Sequence, residues 1–474
     1  MNQPLNFYAK KSMKGNPHVF DDYFQLSALT ITVTSACNLH CDYCFEEHES
    51  RLIKPDEVVD IIDVAYKNFR KNNPTGSMPL SFFGGEPFIA WKTIQRCIEH
   101  AKEKGYDLSV GITTNLTLLT DEQMEFIDEN DIGLLVSIDG TKEVHDRLRD
   151  NSYDVVSKNV KKLIDNGMKR LIEARMTVPP GEFHNLLAGV QNIFSLGVDN
   201  IAPVPVTDQV WTKDQVKLLE NELDKLYEWT ISIYEDPNNK RNISVKMIDD
   251  YLFQCIHDEF DMKGTPCSFG SNKWLSIGPS GEMYPCHQIH TRKDQQELFY
   301  MGNILKGEIL PHRILGQVLP HSWKKADDPE YTCDTCEAYN ICRGSCPSEN
   351  YDLNKDYLKT PDEWCDWVRM SKRITKKYQN QLLNSKNLRN KRLNSIKLNL
   401  EIMEMIDRVR EYNVYSREFP LVVLDLYEKV LSCEHNLLPG FSDLSKNKLA
   451  KFREQLTQIR DELIKKESMQ KETV

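Results

Sequence analysis

The chain has 474 residues, 40% of them hydrophobic and 28% charged, enough to bury a large core or several smaller ones. Its formal net charge of −11 argues against a surface built to hold a nucleic-acid backbone. No apolar run approaches the roughly 18 residues that span a bilayer, and Met1 to Phe20 carries no apolar signal segment, so a cytoplasmic protein is expected, with no nucleic-acid or membrane partner.

From Ala28 to about Val206, short β-branched runs alternate with stretches of helical period. Leu29–Val33, Leu80–Phe83, Leu108–Ile112, Gly133–Ser137, Leu171–Met176 and Ile201–Val204 read as strands. Val58, Ile61, Ile62, Ala65 and Tyr66 share one face of a helix that opens on Pro55-Asp56-Glu57. Six βα units predict an α/β fold, a partial (β/α)6 barrel with its site at the carboxyl ends of the strands. The expected division is an N-terminal extension (1–27), the barrel (28–206), a connecting helical region (207–262), a small Cys-rich domain (263–367) and a helical appendage (368–474). In the Cys-rich part, Trp274–Ile277 and Glu282–Tyr284 flank Gly278-Pro279-Ser280-Gly281 as a hairpin. The appendage opens on a basic run from Arg369 to Lys397 and ends on an apolar seam of Leu449, Phe452, Leu456, Ile459 and Leu463.

Thirteen cysteines without an export signal point to metal or redox chemistry rather than disulfides. Ten fall in two groups, Cys37, Cys41 and Cys44 after the first strand, and seven between Cys267 and Cys365. Three thiolates suit an iron-sulfur cluster with one open iron; the alternative is a zinc loop closed by His40 or His48. Cys97 and Cys433 read as core thiols. Cys255 reads either as helix packing or as a further cluster ligand.

The Cys37-x3-Cys41-x2-Cys44 loop resembles the signature of the radical S-adenosylmethionine (SAM) enzymes. By that resemblance Tyr43 packs beside adenine, and Gly84-Gly85-Glu86-Pro87 is the glycine-rich motif whose edge receives the methionine amino group, Glu86 offering an acceptor. Asn115 after the third strand lies where such enzymes contact ribose and methionine, Ser137 would bond the ribose and Arg149 the SAM carboxylate. The implied chemistry is reductive cleavage of SAM, yielding a 5'-deoxyadenosyl radical that removes hydrogen from a substrate.

The second group resembles the SPASM domain of peptide-modifying radical SAM enzymes, which holds two auxiliary [4Fe-4S] clusters, making three in all. The resemblance gives Cys333, Cys336, Cys342 and Cys365 to the outer cluster, and Cys267, Cys286 and Cys346 to the inner one. No cysteine between Cys267 and Cys286 closes the inner set. His287 stands where sulfatase maturases carry an aspartate base, and it reads as a proton carrier or as a hydrogen-bond partner of the site. An open inner cluster suits a substrate thiolate, and the chain most resembles ranthipeptide maturases of Cys-x-x-x repeat precursors, the freyrasin type, which form thioether crosslinks. The implied partners are a precursor peptide with a leader and repeated Cys, and a low-potential electron donor of flavodoxin or ferredoxin type. Fewer than thirty residues precede the first strand, so no leader-binding domain is expected there, and the basic appendage is the expected leader dock. The competing readings are another SPASM peptide chemistry, carbon-carbon crosslinking or Cys/Ser oxidation, and a zinc-stapled binding protein.

Overall fold

The computed structural model describes residues 11–13, 19–46, 48–241, 243–259, 269, 272–290, 292–310, 333–342, 344–357 and 359–385. Seven strands run parallel: β2 (Ala28–Thr34), β3 (Met78–Gly84), β4 (Leu108–Thr114), β5 (Gly133–Ser137), β6 (Ile172–Val178), β7 (Asn200–Pro205) and the short β8 (Ser244–Val245). The six expected barrel strands are β2 to β7. Five more strands, β1 (Lys11–Ser12), β9 (Trp274–Ile277), β10 (Glu282–Tyr284), β11 (Gly302–Asn303) and β12 (Glu308–Ile309), pair antiparallel with one another. The two sets form one open sheet, because β9 lies parallel against the outer edge of β2, Leu29 opposite Leu275 and Ile31 opposite Ile277. The expected hairpin is present, closed by Gly281 donating to the Gly278 carbonyl at 2.9 Å. Period-two alternation marked β9 and β10 as strands but carried no information about their partner.

Strand register separates two faces. Leu29, Ile31, Leu80, Phe82, Ile112, Leu134, Val136, Ile172 and Ala174 share one face and are buried to 2% or less. The opposite face carries Thr30, Thr32, Ser81, Phe83, Thr113, Ser137, Glu173 and Arg175. The first set is the apolar core; the second is a more polar lining.

Helix α1 (Pro55–Asn72) starts as its sequence dictates, with proline at the first position and Glu57 accepting from the Lys54 amide at 3.0 Å. Its buried stripe includes Val58, Ile61, Ile62, Ala65 and Tyr66. The other helices between barrel strands are α2 (Trp91–Lys104), α3 (Asp121–Glu129), α4 (Lys142–Leu148), α5 (Tyr153–Asp165) and α6 (Leu186–Ser195). Beyond β7 come α7 (Lys213–Glu235), α8 (Lys246–Glu259), α9 (Lys293–Phe299), α10 (Pro347–Asn354) and α11 (Asp362–Asn384). The expected connecting region thus contains a strand and a second helix as well as α7. No described helix is long and apolar enough to cross a membrane.

The chain forms two compact units. The first comprises Met1–Leu226, Ile243–Met247 and Gly264–Ser371, and holds the whole sheet. In the second, Tyr227 stacks on Tyr378 with ring centroids 5.6 Å apart and shares a hydrogen bond of 2.6 Å with Thr375. Of the expected appendage the described residues are 368–385; the terminal seam, Cys433 and the basic positions from Lys386 onward lie outside them.

Asn68 ties the first unit's amino-terminal segment to α1. Its side chain accepts from the Leu26 amide at 2.9 Å and donates to the Phe24 carbonyl at 2.9 Å and to Asp21 at 2.8 Å. Asn68→Ala leaves buried backbone groups unpaired, and is expected to lower the stability of this unit by about 2 kcal/mol, read as a shift of its urea midpoint.

Candidate functional site at the strand ends

The cysteine loop is a closed lariat on the end of β2. It returns to its root through Ser35 N donating to Arg51 O at 3.1 Å and Ile53 N to Val33 O at 3.0 Å, with an antiparallel bridge between Thr34 and Leu52. The Thr34 hydroxyl donates to the Arg51 carbonyl at 2.8 Å, and that of Ser35 to Glu49 O at 3.0 Å.

Gly84 and Gly85 bring the end of β3 against this root. Gly85 N donates to Thr34 O at 3.0 Å and Glu86 N to Ala36 O at 2.8 Å. A β-carbon at Gly85 would stand 2.3 Å from the Ala36 carbonyl oxygen, and one at Gly84, whose φ is +144°, 2.0 Å from that of Thr34. Only glycine permits this approach.

Glu86, expected as an ammonium acceptor, has a duty within the fold itself. Fully buried, it accepts from Phe88 N at 3.0 Å and the Thr114 hydroxyl at 2.8 Å through Oε1, and from Asn115 N at 2.7 Å through Oε2. Burial pushes its carboxyl up to about 7 against these three donors. It therefore joins the ends of β3 and β4, and Pro87 opens the short turn Pro87–Ala90 behind it. Asn115 continues the chain of contacts, its amide donating to Asn38 Oδ1 at 3.0 Å and lying 3.9 Å from Cys37 Sγ.

Past β5, Ser137 is nearly buried and Asp139 fully so. Asp139 accepts from Arg149 Nε at 2.6 Å, from the Thr177 amide at 2.9 Å and from the Tyr43 hydroxyl. The Arg149 guanidinium lies 5.2 Å from the Tyr43 ring centroid and directs Nη1 at Cys41 Sγ, 3.7 Å away. Burial opposes the charge on Arg149, and the adjoining Asp139 carboxylate more than offsets it. Arg149 holds the Asp139 carboxylate through Nε, which leaves its other donors for the SAM carboxylate expected for it. The Arg149 turn docks on the cysteine loop through Asp42 N to Leu148 O at 3.1 Å and His40 N to the Asp150 carboxylate. Asp150 and Asn151 both adopt left-handed backbone, φ +51° and +54°, a strain that this docking maintains.

His145 holds the turn from within. Asp139 N donates to its Nδ1 at 3.1 Å, which leaves the proton on Nε2, 3.0 Å from Ser152 Oγ; that hydroxyl donates to the Arg149 carbonyl at 2.6 Å.

Burial raises the thiols of Cys37 and Cys44 and lifts Cys41 to about 11, and the three sulfurs feel one another's charge. His48 Nε2 lies 3.7 Å from Cys44 Sγ. Among the described residues no group of three or more His, Cys, Asp or Glu is gathered as a single metal ion would require. Three thiols on one loop, each within reach of another's charge, with Asn115 and Arg149 donors near two of the sulfurs, suit the ligand side of an iron-sulfur cluster.

In the second cysteine group, Cys333 opens a short turn that Cys336 N closes on Cys333 O at 3.1 Å. Burial pushes the Cys365 thiol up to about 12, with Cys342 and Cys333 adding to the effect. The expected outer ligands are thus neighbours. Cys346 Sγ lies 3.7 Å from Gln288 Oε1, and Cys286 Sγ 3.9 Å from His287 Nδ1. Cys267 lies outside the described residues. Cys97 is fully buried in α2, and Cys255 is fully buried in α8, its carbonyl facing Lys376 Nζ at 3.5 Å.

His287 stands against Phe83 with ring centroids 4.3 Å apart. Burial lowers it to about 4, helped by Arg175 and Arg292, so it is neutral at pH 7. Sequence reading missed Glu46, Arg175, Arg292 and Glu349 in the same unit. Arg292 lies 5.5 Å from the Phe45 ring centroid and 3.6 Å from Asp208. Glu46 is buried with neither carboxylate oxygen hydrogen-bonded among the described residues. The one sequence signal was Glu173-x-Arg175, charges at alternate positions on a strand.

Two outcomes follow. Gly85→Ala is expected to displace the cysteine root and to lose about four irons per chain on anaerobic reconstitution, measured with acid-labile sulfide. Burial lowers His145 to about 4, below its unfolded value near 6.5. Its contribution is full above about pH 6.5 and is lost as pH falls toward about 4, so melting temperature should decline across that window and decline less steeply in His145→Gln.

Residues 31–187 match the Radical SAM superfamily model. A cysteine-type anaerobic sulfatase-maturating enzyme of Clostridium perfringens (strain 13 / Type A) is 24% identical over 373 residues, 70% of this chain and 93% of that protein. The radical SAM cyclopropyl synthase TigE of Paramaledivibacter caminithermalis is 28% identical over 155 residues, 29% of this chain; the match spans only 32% of TigE. Native anSMEcpe with bound AdoMet and Cp18Cys peptide superposes with a TM-score of 0.59 at 19% identity, over 79% of this chain and 99% of that one. Streptococcus suis SuiB bound to precursor peptide SuiA gives 0.50 at 15% identity, over 73% of this chain and 78% of that one. The parallel sheet, the cysteine lariat at its edge and the family match together make residues 31–187 a radical SAM domain.

Proposed function

We propose that the protein is a radical SAM peptide maturase that joins cysteine sulfur to a carbon of another residue in a ribosomally made precursor, the thioether chemistry of ranthipeptides. The observation that carries this reading is that the sequence has no cysteine between Cys267 and Cys286 to close the inner set that the resemblance gives to Cys267, Cys286 and Cys346, and has His287 in place of an aspartate base. The relatives whose names or bound peptides mark them as peptide-modifying support the substrate class.

Cys37, Cys41 and Cys44 would hold the SAM-binding cluster, and the seven cysteines from Cys267 to Cys365 two auxiliary clusters. When bound, the clusters would supply the electron that cleaves SAM and an open iron suited to a substrate thiolate, and SAM would supply the radical that takes a substrate hydrogen. The chain's own residues aim and shield that chemistry. Asn115 and Arg149 direct donors at the Cys37 and Cys41 sulfurs, which stabilises thiolate over thiol. Ser137 and Tyr43 would contact the nucleoside, as the family resemblance implies. Phe83 and Phe45, stacked with centroids 6.2 Å apart, form an apolar wall beside His287 that keeps water from a reactive radical. Neutral His287, held down by burial and by Arg175 and Arg292, is suited to hydrogen bonding beside Cys286 and not to taking up a proton.

A second reading, oxidation of a target Cys or Ser side chain, is favoured by the 93% coverage of the sulfatase-maturating relative. The experiment separates them. The reconstituted protein should hold about twelve irons, falling to about eight when Cys37, Cys41 and Cys44 are replaced together by Ala. Incubated with SAM, dithionite and a Cys-x-x-x repeat peptide, it should yield a product lighter by H2 that keeps its sulfur and resists thiol alkylation. Loss of sulfur would favour the oxidation reading, and zinc with little iron would overturn both.

A further inference from the structure

The short turn His287–His290 places a polar side chain beside each of two inner cysteines. His287 Nδ1 lies 3.9 Å from the sulfur of Cys286, which leads into the turn, and Gln288 Oε1 lies 3.7 Å from Cys346 Sγ, 58 residues further along the chain. Cys346 is the N-cap of α10, yet its side chain bonds no amide of that helix. Among the described residues the Gln288 side chain makes no other hydrogen bond.

The fold fixes this meeting from three sides. Ile289 is fully buried in an apolar cluster with Phe269, Tyr284 and Phe299, and Cys286 packs against the same cluster. His290 shares a hydrogen bond of 2.8 Å with Ser276 of β9. Helix α9 follows the turn, and its Gln295 donates to the Ser348 carbonyl at 3.1 Å and accepts from the Ser348 hydroxyl at 2.9 Å, two residues past Cys346. Gln288 is thus carried to Cys346 by well-anchored neighbours on both sides.

An amide oxygen suits a thiol, which donates to it. A metal-bound thiolate only accepts, and would repel that oxygen. A half-turn about the last side-chain bond puts the amide nitrogen where the oxygen stood, so one position serves both states of the sulfur. Donation to a ligand sulfur draws off negative charge and stabilises the reduced cluster, raising its potential. The thioether chemistry needs such a potential. The thiolate brings two electrons and the carbon radical one; the new bond keeps two, and the third reduces the inner cluster. The thiol proton goes to solvent and the abstracted hydrogen to 5'-deoxyadenosine.

We infer that Gln288 is a redox-tuning residue, its amide donating to the Cys346 sulfur and holding the inner cluster at a potential that accepts the electron left when sulfur joins carbon. The inference rests on the auxiliary-cluster and thioether readings proposed above.

The test is a potentiometric titration of the reconstituted full chain followed by electron paramagnetic resonance, the inner cluster being the signal that Cys346→Ala abolishes. In Gln288→Leu the ratio of reduced to oxidised inner cluster at a fixed potential should fall about tenfold, a shift of about 59 mV for one electron, with the other signals unmoved. Electron-nuclear double resonance should show an exchangeable proton coupled to the inner cluster of the native chain and none in Gln288→Leu. Iron content and far-UV circular dichroism confirm loading and folding; should the leucine variant lose the inner cluster, Gln288→Glu, nearly the same shape but with no donor, carries the measurement and should lower the ratio at least as far. If potential and proton coupling are unchanged in a loaded variant, the tuning role is overturned and the auxiliary-cluster reading stands. If the native chain holds only about four irons, that reading fails and the inference with it.

Discussion

Two backbone hydrogen bonds, from Gly85 N to Thr34 O and from Glu86 N to Ala36 O, hold the cysteine loop to the sheet. The rest of the site depends on this seam. Parallel strands end at staggered heights, and the segments beyond them normally diverge; here the chain after β3 returns to within bonding distance of the chain after β2. A side chain at either glycine would drive a carbon into a carbonyl oxygen, so the seam cannot survive substitution without moving the root of all three thiols. Each such bond is worth about 1 kcal/mol net, but an unpaired buried donor costs more, so the seam is held by what its loss would leave unsatisfied.

Around it the strand ends are joined in series. Glu86 links β3 to β4, Asn115 links β4 to the cysteine loop, and Asp139 gathers Tyr43 from that loop, Arg149 from the turn after α4 and the amide of Thr177 on β6. These groups are buried and mutually satisfied, which makes a rigid frame from polar parts. Preorganisation of this kind suits a reaction in which the positions of the reacting groups decide the outcome, because a loosely held radical reacts with the nearest bond.

The barrel was legible because its strands are β-branched runs separated by amphipathic helices, and the first site because its residues stand directly after those runs. The structural duty of Glu86 was not legible: sequence shows a carboxylate beside two glycines, but not that Phe88, Thr114 and Asn115 donate to its two oxygens. Arg149 was expected to await a carboxylate, and Asp139 supplies one from ten residues away, which motif spacing does not reveal. The joining of β9 to β2 was invisible because a strand's own pattern tells which face is apolar, and says nothing of its neighbour.

That joining has a mechanical consequence. The strand that leads into Cys37 is paired over Ala28 to Ile31 with the strand that leads, through the hairpin, to Cys286. A ladder of this kind slides only in whole steps, and a one-residue slip would turn Leu275 and Ile277 away from the core. The spacing between the two cysteine regions is therefore quantised by strand register and indifferent to the length of the long chain segment between β7 and β9. Insertions or deletions in that segment can accumulate without retuning the distance across which electrons and atoms would have to pass.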